Sequence, residues 1–231
     1  MKKIISTVLI IAMLAVSLLT LTACDEDLGV GASSHFGERT TEGRTLRFAK
    51  ITVKNYGSLV LLLEESTAPI TVNNFLDLAN AGFYDNLTFH RVMANFMIQG
   101  GDPKANGTGG SDKNIKGEFL MNAHYNDLSH LYGTISMARA EDYNSASSQF
   151  FICNADAQLS LDYQYAAFGY VIAGMSVVEA ITADTAYLGS GQNGLISDKS
   201  KQAVIRTVKE ISYDEACRLV SGLKNIVGEV K

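Results

Sequence analysis

Short runs of β-branched and large apolar residues recur along residues 46–213, and this pattern limits the possible folds more than any other feature of the chain. The first two runs lie within 46–63 and are separated by Asn-Tyr-Gly-Ser at 55–58, which predicts a hairpin. Further runs predict strands over 87–98, 134–138, 150–153, 166–172 and 204–213. Many short strands separated by turn signals are typical of an all-β sandwich or barrel.

One helical pattern follows the predicted hairpin. Pro69 stands where a first helical turn would begin, and Gly82 stands where a C-terminal cap belongs. Between them apolar side chains recur at helical spacing, at Val72, Phe75, Leu76 and Ala79. The sequence therefore predicts a helix over 69–81.

A second helical pattern begins with Ser176 and Glu179, which have the spacing of a capping box. This box predicts a helix that runs to about Ala183. Many short strands with two separated helices predict a closed antiparallel barrel or a sandwich. Because strands and helices do not alternate, a doubly wound nucleotide-binding fold and a two-lobed solute-binding lipoprotein are both disfavoured.

The end of the chain carries a third helical pattern over 214–231. Its apolar residues fall on one helical face, at Ala216, Leu219, Val220, Leu223, Ile226, Val227 and Val230. We expect this C-terminal amphipathic helix to pack on its own domain, and a partner protein or the membrane surface is the alternative.

The N-terminus has the layout of an export signal. Lys2 and Lys3 precede an apolar run over 4–22, and the sequence Leu-Thr-Ala-Cys that ends at Cys24 resembles a bacterial lipoprotein box. In such a box the chain is cleaved after the small residues, and the cysteine takes a lipid through its sulfur. We therefore predict a lipoprotein signal peptide over 1–23 and lipid attachment at Cys24. An ordinary secretory peptide or an uncleaved anchor is the alternative.

Each of these alternatives places the body of the protein outside the cytoplasm. The Gly, Ser and charge content of residues 24–45 predicts a flexible tether between Cys24 and the folded domain. Several acyl chains on one N-terminus would hold the protein stably at a membrane, since a single chain binds only marginally. The expected location is extracytoplasmic, with a lipid anchor at the cell membrane.

The charge balance argues against a polyanion-binding surface. The 19 basic residues include Lys2 and Lys3 of the predicted leader, so the mature chain would carry 17 basic residues against 24 acidic ones. Affinity for a nucleic-acid backbone needs clustered Lys and Arg, and the body has no basic run. We expect no nucleic-acid partner.

The sequence lacks the motifs of several other chemistries. Cys153 and Cys217 are too few for a disulfide framework and wrongly spaced for a zinc site, and we expect Cys153 to be buried and inert. The spacing of His124, Asp127 and His130 fits no familiar metal site. The glycine-rich loop lacks the Lys-Ser/Thr of a phosphate cradle, and no serine has a Gly-x-Ser-x-Gly elbow. We therefore expect no metal and no cofactor.

The densest group of polar and large apolar residues lies at 89–102, with the sequence Phe-His-Arg-Val-Met-Ala-Asn-Phe-Met-Ile-Gln-Gly-Gly-Asp. This segment resembles the signature of the cyclophilin peptidyl-prolyl isomerases. Four further blocks continue the resemblance in family order: Gly-Thr-Gly-Gly at 107–110, Ile-Ser-Met-Ala-Arg-Ala at 135–140, Ser-Gln-Phe-Phe-Ile at 148–152, and Ala-Ala-Phe-Gly at 166–169 with Gly174-Met175.

The resemblance implies a mainly β isomerase domain over 46–213: a closed antiparallel eight-stranded β-barrel with two capping helices. It also implies a monomeric enzyme that isomerises X-Pro bonds in proline-containing polypeptides, without a cofactor or a covalent intermediate. Rotation about such a bond has a barrier of ~20 kcal/mol because the carbon–nitrogen bond is partly double. A catalyst can help with a pocket for the proline ring, a donor to the prolyl nitrogen and anchors on either side.

Individual roles follow from the same resemblance. Arg91 would be the catalytic donor, since a guanidinium keeps its charge at all relevant pH. An apolar floor for the proline ring would be formed by Phe96, Met97, Phe151 and Leu161. Gln99 would hydrogen-bond the substrate carbonyl. His90 lies on the opposite strand face from Arg91, and we interpret it as a hydrogen-bonded structural histidine.

The remaining predicted contacts surround this floor. The backbone of Ala138, Arg139 and Ala140 would face the peptide, so the arginine side chain need not disturb binding. Gln149 would complete the groove, and Tyr165 would form an aromatic wall. A cyclophilin-shaped module that binds proline-containing segments without turning them over is the alternative function.

Three features depart from the family pattern. The chain has no tryptophan, and the position where many eukaryotic members carry one falls within 159–160, which weakens any expectation of tight cyclosporin binding. Tyr165 replaces the family's histidine and keeps a ring with a hydroxyl. Tyr163 stands in place of the usual glycine after Leu161-Asp162.

Overall fold

The computed structural model describes residues 43–189 and 193–227. The predicted signal peptide over 1–23, the predicted lipid site Cys24 and nearly all of the predicted tether lie outside the described residues. Within the part of the chain that is described, no helix combines the length and the apolar character needed to cross a bilayer.

Eight antiparallel strands form a closed barrel in the described chain. They are β1 Leu46–Val53, β2 Gly57–Glu64, β3 Thr88–Met93, β4 Met97–Gly100, β5 Thr134–Met137, β6 Phe150–Cys153, β7 Ala167–Ala173 and β8 Ala203–Ile211. Their order around the barrel is β1-β2-β7-β5-β6-β4-β3-β8, and β8 pairs with β1 to close it. The predicted fold class, a closed eight-stranded antiparallel barrel with capping helices, is confirmed.

The predicted strand over 87–98 is two strands. A turn at 94–96 separates β3 from β4, and Asn95 takes the left-handed conformation there with φ 58°. The two strands pair so that Met93 lies opposite Met97 and Arg91 lies opposite Gln99. This tight hairpin brings the residues of the densest sequence motif onto adjacent strands.

Two helices cover the barrel, α1 Pro69–Asn80 and, later in the chain, α3 Met175–Thr185. The buried carboxylate of Glu118 accepts hydrogen bonds from the N–H groups of Ile70 and Thr71, at 3.1 and 2.8 Å, and so satisfies the first turn of α1. The apolar face of α1 packs into the aromatic centre of the barrel, where Phe75 lies 5.3 Å from Phe168 between ring centroids.

The predicted capping box at the start of α3 is wrong. Gly174 is the N-cap residue, with φ 85°, and no side chain caps the helix. A Cβ at Gly174 would lie 2.3 Å from the carbonyl oxygen of Ser58, so the close approach of β2 requires glycine here. Ser176 therefore lies inside the first turn, and the carboxylate of Glu179 instead accepts a hydrogen bond from the hydroxyl of Tyr132.

The C-terminal segment forms two short helices in place of the single helix expected over 214–231. They are α4 Tyr213–Leu219 and α5 Leu223–Val227, and Gly222 lies between them with φ 75°. The apolar side chains that they bury against the outside of β1, β2 and β7 are Ala216, Val220, Leu223 and Val227. This segment thus packs on its own barrel, and it explains why β2 is buried on both faces.

A short helix that the sequence pattern did not predict, α2 Gln158–Leu161, follows β6.

The start of the described chain is also attached to the barrel. The guanidinium of Arg44, within the predicted tether, forms ion pairs with Glu64 at 2.5 Å and with Asp127 at 2.8 Å. These ion pairs fix the position of Arg44 at the barrel, just before β1 begins.

Candidate active site

The β3–β4 hairpin separates an apolar inner face from a polar outer face. Val92 and Ile98 point into the barrel core, whereas Arg91 and Gln99 lie partly exposed on the outside. Alternation along a strand puts every second side chain on the same face. This alternation places Arg91, the predicted donor, beside Gln99 on the outer face.

The guanidinium of Arg91 is held from several directions. Its Nε donates to the carbonyl oxygen of Asn193 at 2.5 Å, and its Nη1 donates to Oε1 of Gln99 at 2.9 Å. The sulfur atoms of Met93 and Met97 lie 3.2 and 3.7 Å from Nη2 and Nη1. Burial lowers the pKa of Arg91, while a guanidinium remains protonated at physiological pH. A fixed, half-buried positive charge is the result.

The residue that holds Nε was not found by sequence reasoning. Asn193 lies about a hundred positions beyond Arg91, in a segment where Gly194 accepts a hydrogen bond from the N–H of Val92 at 2.9 Å. Gly194 has φ 70°, and a Cβ on it would lie 2.6 Å from the carbonyl oxygen of Val92. Only glycine lets this segment approach β3 so closely.

A cavity of about 180 Å³ opens beside the guanidinium of Arg91. Its floor consists of Met97, Phe151 and Leu161, which are nearly completely buried. The ring of Phe96 lies 6.0 Å from Cζ of Arg91, and the ring of Tyr165 meets Phe151 edge-on at 6.1 Å between centroids. The cavity thus combines apolar walls with the guanidinium of Arg91 at its edge, and Arg139 is a second cation in its lining.

Phe96 reaches the cavity because Asn154 holds the β3–β4 turn. The Oδ1 of Asn154 accepts from the N–H of Phe96 at 2.6 Å, and its Nδ2 donates to the carbonyl oxygen of Met93 at 3.0 Å. Sequence reasoning also missed Asn154. It directly follows Cys153 in a strand that was identified only by its apolar residues, so no local signal marked it.

A chain of amide groups extends from Arg91 toward the glycine-rich loop. Nε2 of Gln99 donates to Oε1 of Gln149 at 2.8 Å, and Nε2 of Gln149 donates to the carbonyl oxygen of Gly109 at 2.6 Å. Both polar ends of the Gln99 side chain are therefore engaged by protein groups. In this structure Gln99 orients Arg91, in addition to its predicted role toward a substrate carbonyl.

The loop itself is held by the buried carboxylate of Asp102. Its oxygens accept hydrogen bonds from the N–H groups of Lys104 at 2.7 Å, Asn106 at 3.0 Å and Gly107 at 2.6 Å. Burial alone would raise the pKa of Asp102, but these donors stabilise the carboxylate and lower the pKa below its usual value.

The structure brings the predicted site residues together around two neighbouring cavities. The first cavity is lined by Arg91, Phe96, Met97, Gln99, Ala138, Arg139, Phe151, Leu161 and Tyr165. The second, of about 400 Å³, is lined by Ala140, Gln149 and the glycine-rich loop, and it shares Gln99, Ala138 and Arg139 with the first. These shared lining residues make the two cavities neighbours, and the pair is called the groove below.

The backbone of residues 138–140 borders this groove. The N–H of Ala138 donates to the carbonyl oxygen of Gln149, and the N–H of Ala140 donates to Oγ of Ser145, both at 2.9 Å. The N–H of Arg139 makes no hydrogen bond to another described residue. Among these three amides, it is the one that remains available to a bound peptide.

Two buried histidines near the site differ in their partners. His90 is buried, and neither ring nitrogen has a partner at hydrogen-bond distance among the described residues; a backbone interaction with Thr88 makes the smallest contribution to its pKa. Desolvation lowers the pKa of His90 although the nearby Asp102 opposes this shift. His130, by contrast, contacts Asp162 at 2.8 Å and Ser136 at 2.9 Å, so it belongs to a structural network.

Other expectations concern reactive or metal-binding groups. Cys153 is buried as predicted, and burial raises the pKa of its thiol to about 12, so it is not a ready nucleophile. Within residues 43–189 and 193–227, no three His, Cys, Asp or Glu side chains gather into a potential metal site.

Comparison with known proteins agrees with this geometry. The sequence model of the family described as "Cyclophilin type peptidyl-prolyl cis-trans isomerase/CLD" matches residues 48–210. The chain belongs to the cyclophilins. It is a peptidyl-prolyl cis-trans isomerase, as its curated relatives are named.

Two curated relatives illustrate how far the similarity of this cyclophilin extends. Peptidyl-prolyl cis-trans isomerase A of Dickeya dadantii is 40% identical over 164 residues, which are 67% of this chain and 80% of the relative. Peptidyl-prolyl cis-trans isomerase B of Escherichia coli is 35% identical over 158 residues, which are 65% of this chain and 92% of the relative.

A solved structure gives a similar result. A cyclophilin-type isomerase of Cryptosporidium parvum, crystallised in the presence of the dipeptide Ala-Pro, is 30% identical to this chain, with a TM-score of 0.61. The match covers 71% of this cyclophilin and 99% of the other chain.

Two departures from the family pattern have structural outcomes in this cyclophilin. Leu159, near the position of the missing tryptophan, is fully exposed and does not line the first cavity. Tyr163 takes φ 69°, a left-handed conformation that a bulky residue rarely adopts, which agrees with the glycine usual at this position.

Proposed function

We propose that Arg91 stabilises the twisted transition state of an X-Pro bond while the proline ring occupies the 180 Å³ cavity. The observation that carries this proposal is the half-buried guanidinium at the edge of an apolar cavity. When the bond twists, the prolyl nitrogen loses conjugation and its lone pair becomes an acceptor. A hydrogen bond from Arg91 to that lone pair exists only in the twisted state, so it lowers the barrier.

The surrounding residues fit this reaction. Phe96, Met97, Phe151 and Leu161 supply the apolar contact for the ring, and Tyr165 closes one side. Gln99 and Asn193 keep the guanidinium in place, so little reorganisation is needed during rotation. The structural relative that was crystallised with Ala-Pro supports a small proline-containing occupant.

A protease-coupled assay of a proline-containing tetrapeptide tests this proposal. Arg91→Ala should lower kcat by roughly 100-fold, the usual effect of removing one preorganised donor. Arg91→Lys should restore part of the activity, because lysine keeps the charge but loses the planar fork. Arg206→Ala, at an exposed position on β8, is the matched control and should retain full activity.

The same assay separates catalysis from binding alone. If wild-type protein binds the peptide without accelerating isomerisation, the chain acts as a binding module. If Arg91→Ala folds normally and keeps the wild-type kcat, the role assigned to Arg91 is wrong.

We further propose that this cyclophilin is a lipid-anchored monomer outside the cytoplasm and acts on exported polypeptides. The lipoprotein-like sequence before Cys24 supports this location, and the ion pairs of Arg44 would fix where the tether joins the barrel. Unassisted proline isomerisation takes tens of seconds or longer, so catalysis would speed the folding of such clients. Cys24→Ser should move the protein into the soluble fraction, and continued membrane retention would exclude a lipid anchor at this residue.

A further inference from the structure

The side chain of Arg139 lies among three aromatic rings from three segments of the chain. Its Cζ is 4.6 Å from the ring centroid of Tyr165, 5.0 Å from that of Tyr143 and 5.3 Å from that of Phe119. All three distances are within the ~6 Å over which the face of a ring attracts a cation. The sequence motif suggested only a backbone role for this residue, so the aromatic cage gives its side chain a separate function.

The same guanidinium also binds backbone carbonyl groups on both sides of the cage. Nε donates to the carbonyl oxygen of Gln164 at 3.1 Å. Nη1 donates to the carbonyl oxygens of Ala140 at 2.8 Å and Glu141 at 3.1 Å. Arg139 thus connects the segment that follows β5 with the segment that carries Tyr165.

Tyr165 is the element of the site on which Arg139 acts most directly. The ring of Tyr165 contacts the Arg139 guanidinium. The same ring also contacts the ring of Phe151 in the cavity floor, at an interplanar angle of 82°. The ring is therefore set between a cation and a floor residue. Arg139 also lines both the first and the second cavity. It is therefore one of three residues, with Gln99 and Ala138, that the two cavities share.

We propose that Arg139 is a positioning residue for substrate binding, which holds Tyr165 as the wall of the proline cavity and keeps the 138–141 segment beside it. In this role Arg139 holds protein groups and does not donate to the reacting bond: its Nε and Nη1 already donate to the carbonyl oxygens of Gln164, Ala140 and Glu141. A wall that contacts the ground state and the transition state equally affects KM more than kcat. This inference rests on the proposed binding of the proline ring in the first cavity.

The contacts within the aromatic cage favour arginine over lysine at position 139. A planar guanidinium can stack on a ring while its edge donates several hydrogen bonds, whereas an ammonium is a point charge on a flexible stem. Lysine at position 139 would keep the attraction to the rings but lose the simultaneous contacts to Gln164 and Ala140. The expected order of substrate affinity is therefore arginine, then lysine, then alanine.

Steady-state kinetics with a proline tetrapeptide test the proposal. Arg139→Ala should raise KM about tenfold and leave kcat within about twofold, and Arg139→Lys should give an intermediate KM. Arg206→Ala is again the exposed control. An Arg139→Ala variant that folds with wild-type KM would overturn the proposal, as would one that loses kcat at unchanged KM.

A spectroscopic measurement makes the test independent of activity. In protein labelled with 3-fluorotyrosine, the Tyr165 resonance is assigned with Tyr165→Phe, and it should shift in Arg139→Ala and Arg139→Lys while that of Tyr56 stays in place. If Arg139→Ala does not fold, Arg139→Lys decides, and a wild-type KM with an unmoved Tyr165 signal would contradict the proposal.

Failure of the proposal for Arg139 can be told apart from failure of the mechanism proposed for Arg91. Arg91→Ala acts on kcat, whereas the variants at position 139 act on KM. A loss of affinity at position 139 can therefore be measured even if Arg91 proves to have another role.

Discussion

Arg91 and Gln99 face each other across the β3–β4 hairpin, and the guanidinium Nη1 of Arg91 donates to Oε1 of Gln99 at 2.9 Å. The pairing register of the two strands places these side chains opposite each other. Because Nε2 of Gln99 in turn donates to Gln149, the guanidinium of Arg91 is connected to the glycine-rich loop by side-chain amides. The cation is therefore oriented before a substrate arrives.

Removal of this contact should reduce turnover. Gln99→Ala removes the only oxygen acceptor of Nη1 among the described residues and leaves the weaker contact to the Met97 sulfur, so the guanidinium gains alternative orientations. Hydrogen bonds to charged groups contribute about 1.5–3 kcal/mol, so kcat should fall by roughly tenfold or more. Tetrapeptide kinetics measure the effect, with Gln158→Ala, outside both cavities, as the control. An unchanged kcat would show that the remaining contacts alone orient Arg91.

The clamp on the β3–β4 turn should act on substrate affinity and stability together. Asn154→Ala removes the acceptor for the Phe96 N–H and the donor to Met93, so Phe96 should leave the cavity edge for part of the time. Unfolding should become easier by about 1–3 kcal/mol, and KM should rise. Denaturant titration and kinetics measure these changes. Asn73→Ala, exposed on α1, should change neither, and a wild-type KM in Asn154→Ala would argue against a role for Phe96 in binding.

Two glycines with similar backbone angles provide a matched pair. Gly194 has φ 70° and Gly222 has φ 75°, so alanine is strained at both positions. A Cβ at Gly194 would also lie 2.6 Å from the carbonyl oxygen of Val92, whereas nothing lies within 4 Å of one at Gly222.

Gly194→Ala should therefore displace the Asn193 carbonyl from Arg91 and lower kcat, while Gly222→Ala should lower only thermal stability. Thermal unfolding and kinetics of both variants check this expectation. Equal kcat values in the two variants would show that the Asn193 contact has no catalytic importance.

The buried His90 should make stability depend on pH. Its pKa is lowered in the folded state, mainly by desolvation, so the unfolded chain binds a proton more readily. The stability that His90 contributes is thus complete above the unfolded pKa of about 6.5 and decreases as the pH falls below it.

In His90→Phe the free energy of unfolding should therefore change less between pH 7.5 and 5.5 than in the wild type. Urea titrations at both pH values measure this difference. The described acidic groups with lowered pKa values, Asp102, Asp162 and Asp198, titrate below this window. An equal pH dependence in both proteins would show that His90 is accessible to protons in the folded state.

Sequence patterns predicted the barrel and the residues of the first cavity because both depend on local signals. The family signature at 89–102 supplies Arg91 and Gln99, the block at 148–152 supplies Phe151, and the family pattern between the last blocks supplies Leu161 and Tyr165. These residues lie within a few positions of a recognisable strand. The order of the strands around the barrel then brings these residues together.

The missed features depend on contacts that are distant in sequence. Asn193 reaches Arg91 through a segment that only the tertiary fold brings to β3, and Asn154 acts on a turn nearly sixty positions earlier. The capping box failed because the proximity of β2 selects Gly174 as the cap, although Ser176 has the appropriate spacing. The single C-terminal helix failed because apolar periodicity persists through Gly222, where the chain turns.

Closure of the barrel has a consequence for the handling of unfolded chains. Each of the eight described strands has a hydrogen-bonded neighbour on both sides, so they expose no long free edge. An exposed edge strand can pair with another chain and so start aggregation. A peptide segment cannot join this closed sheet as an added strand. On the proposed function, a bound segment would therefore contact only the side-chain cavities and the loop amides, and it would leave no strand added to the barrel.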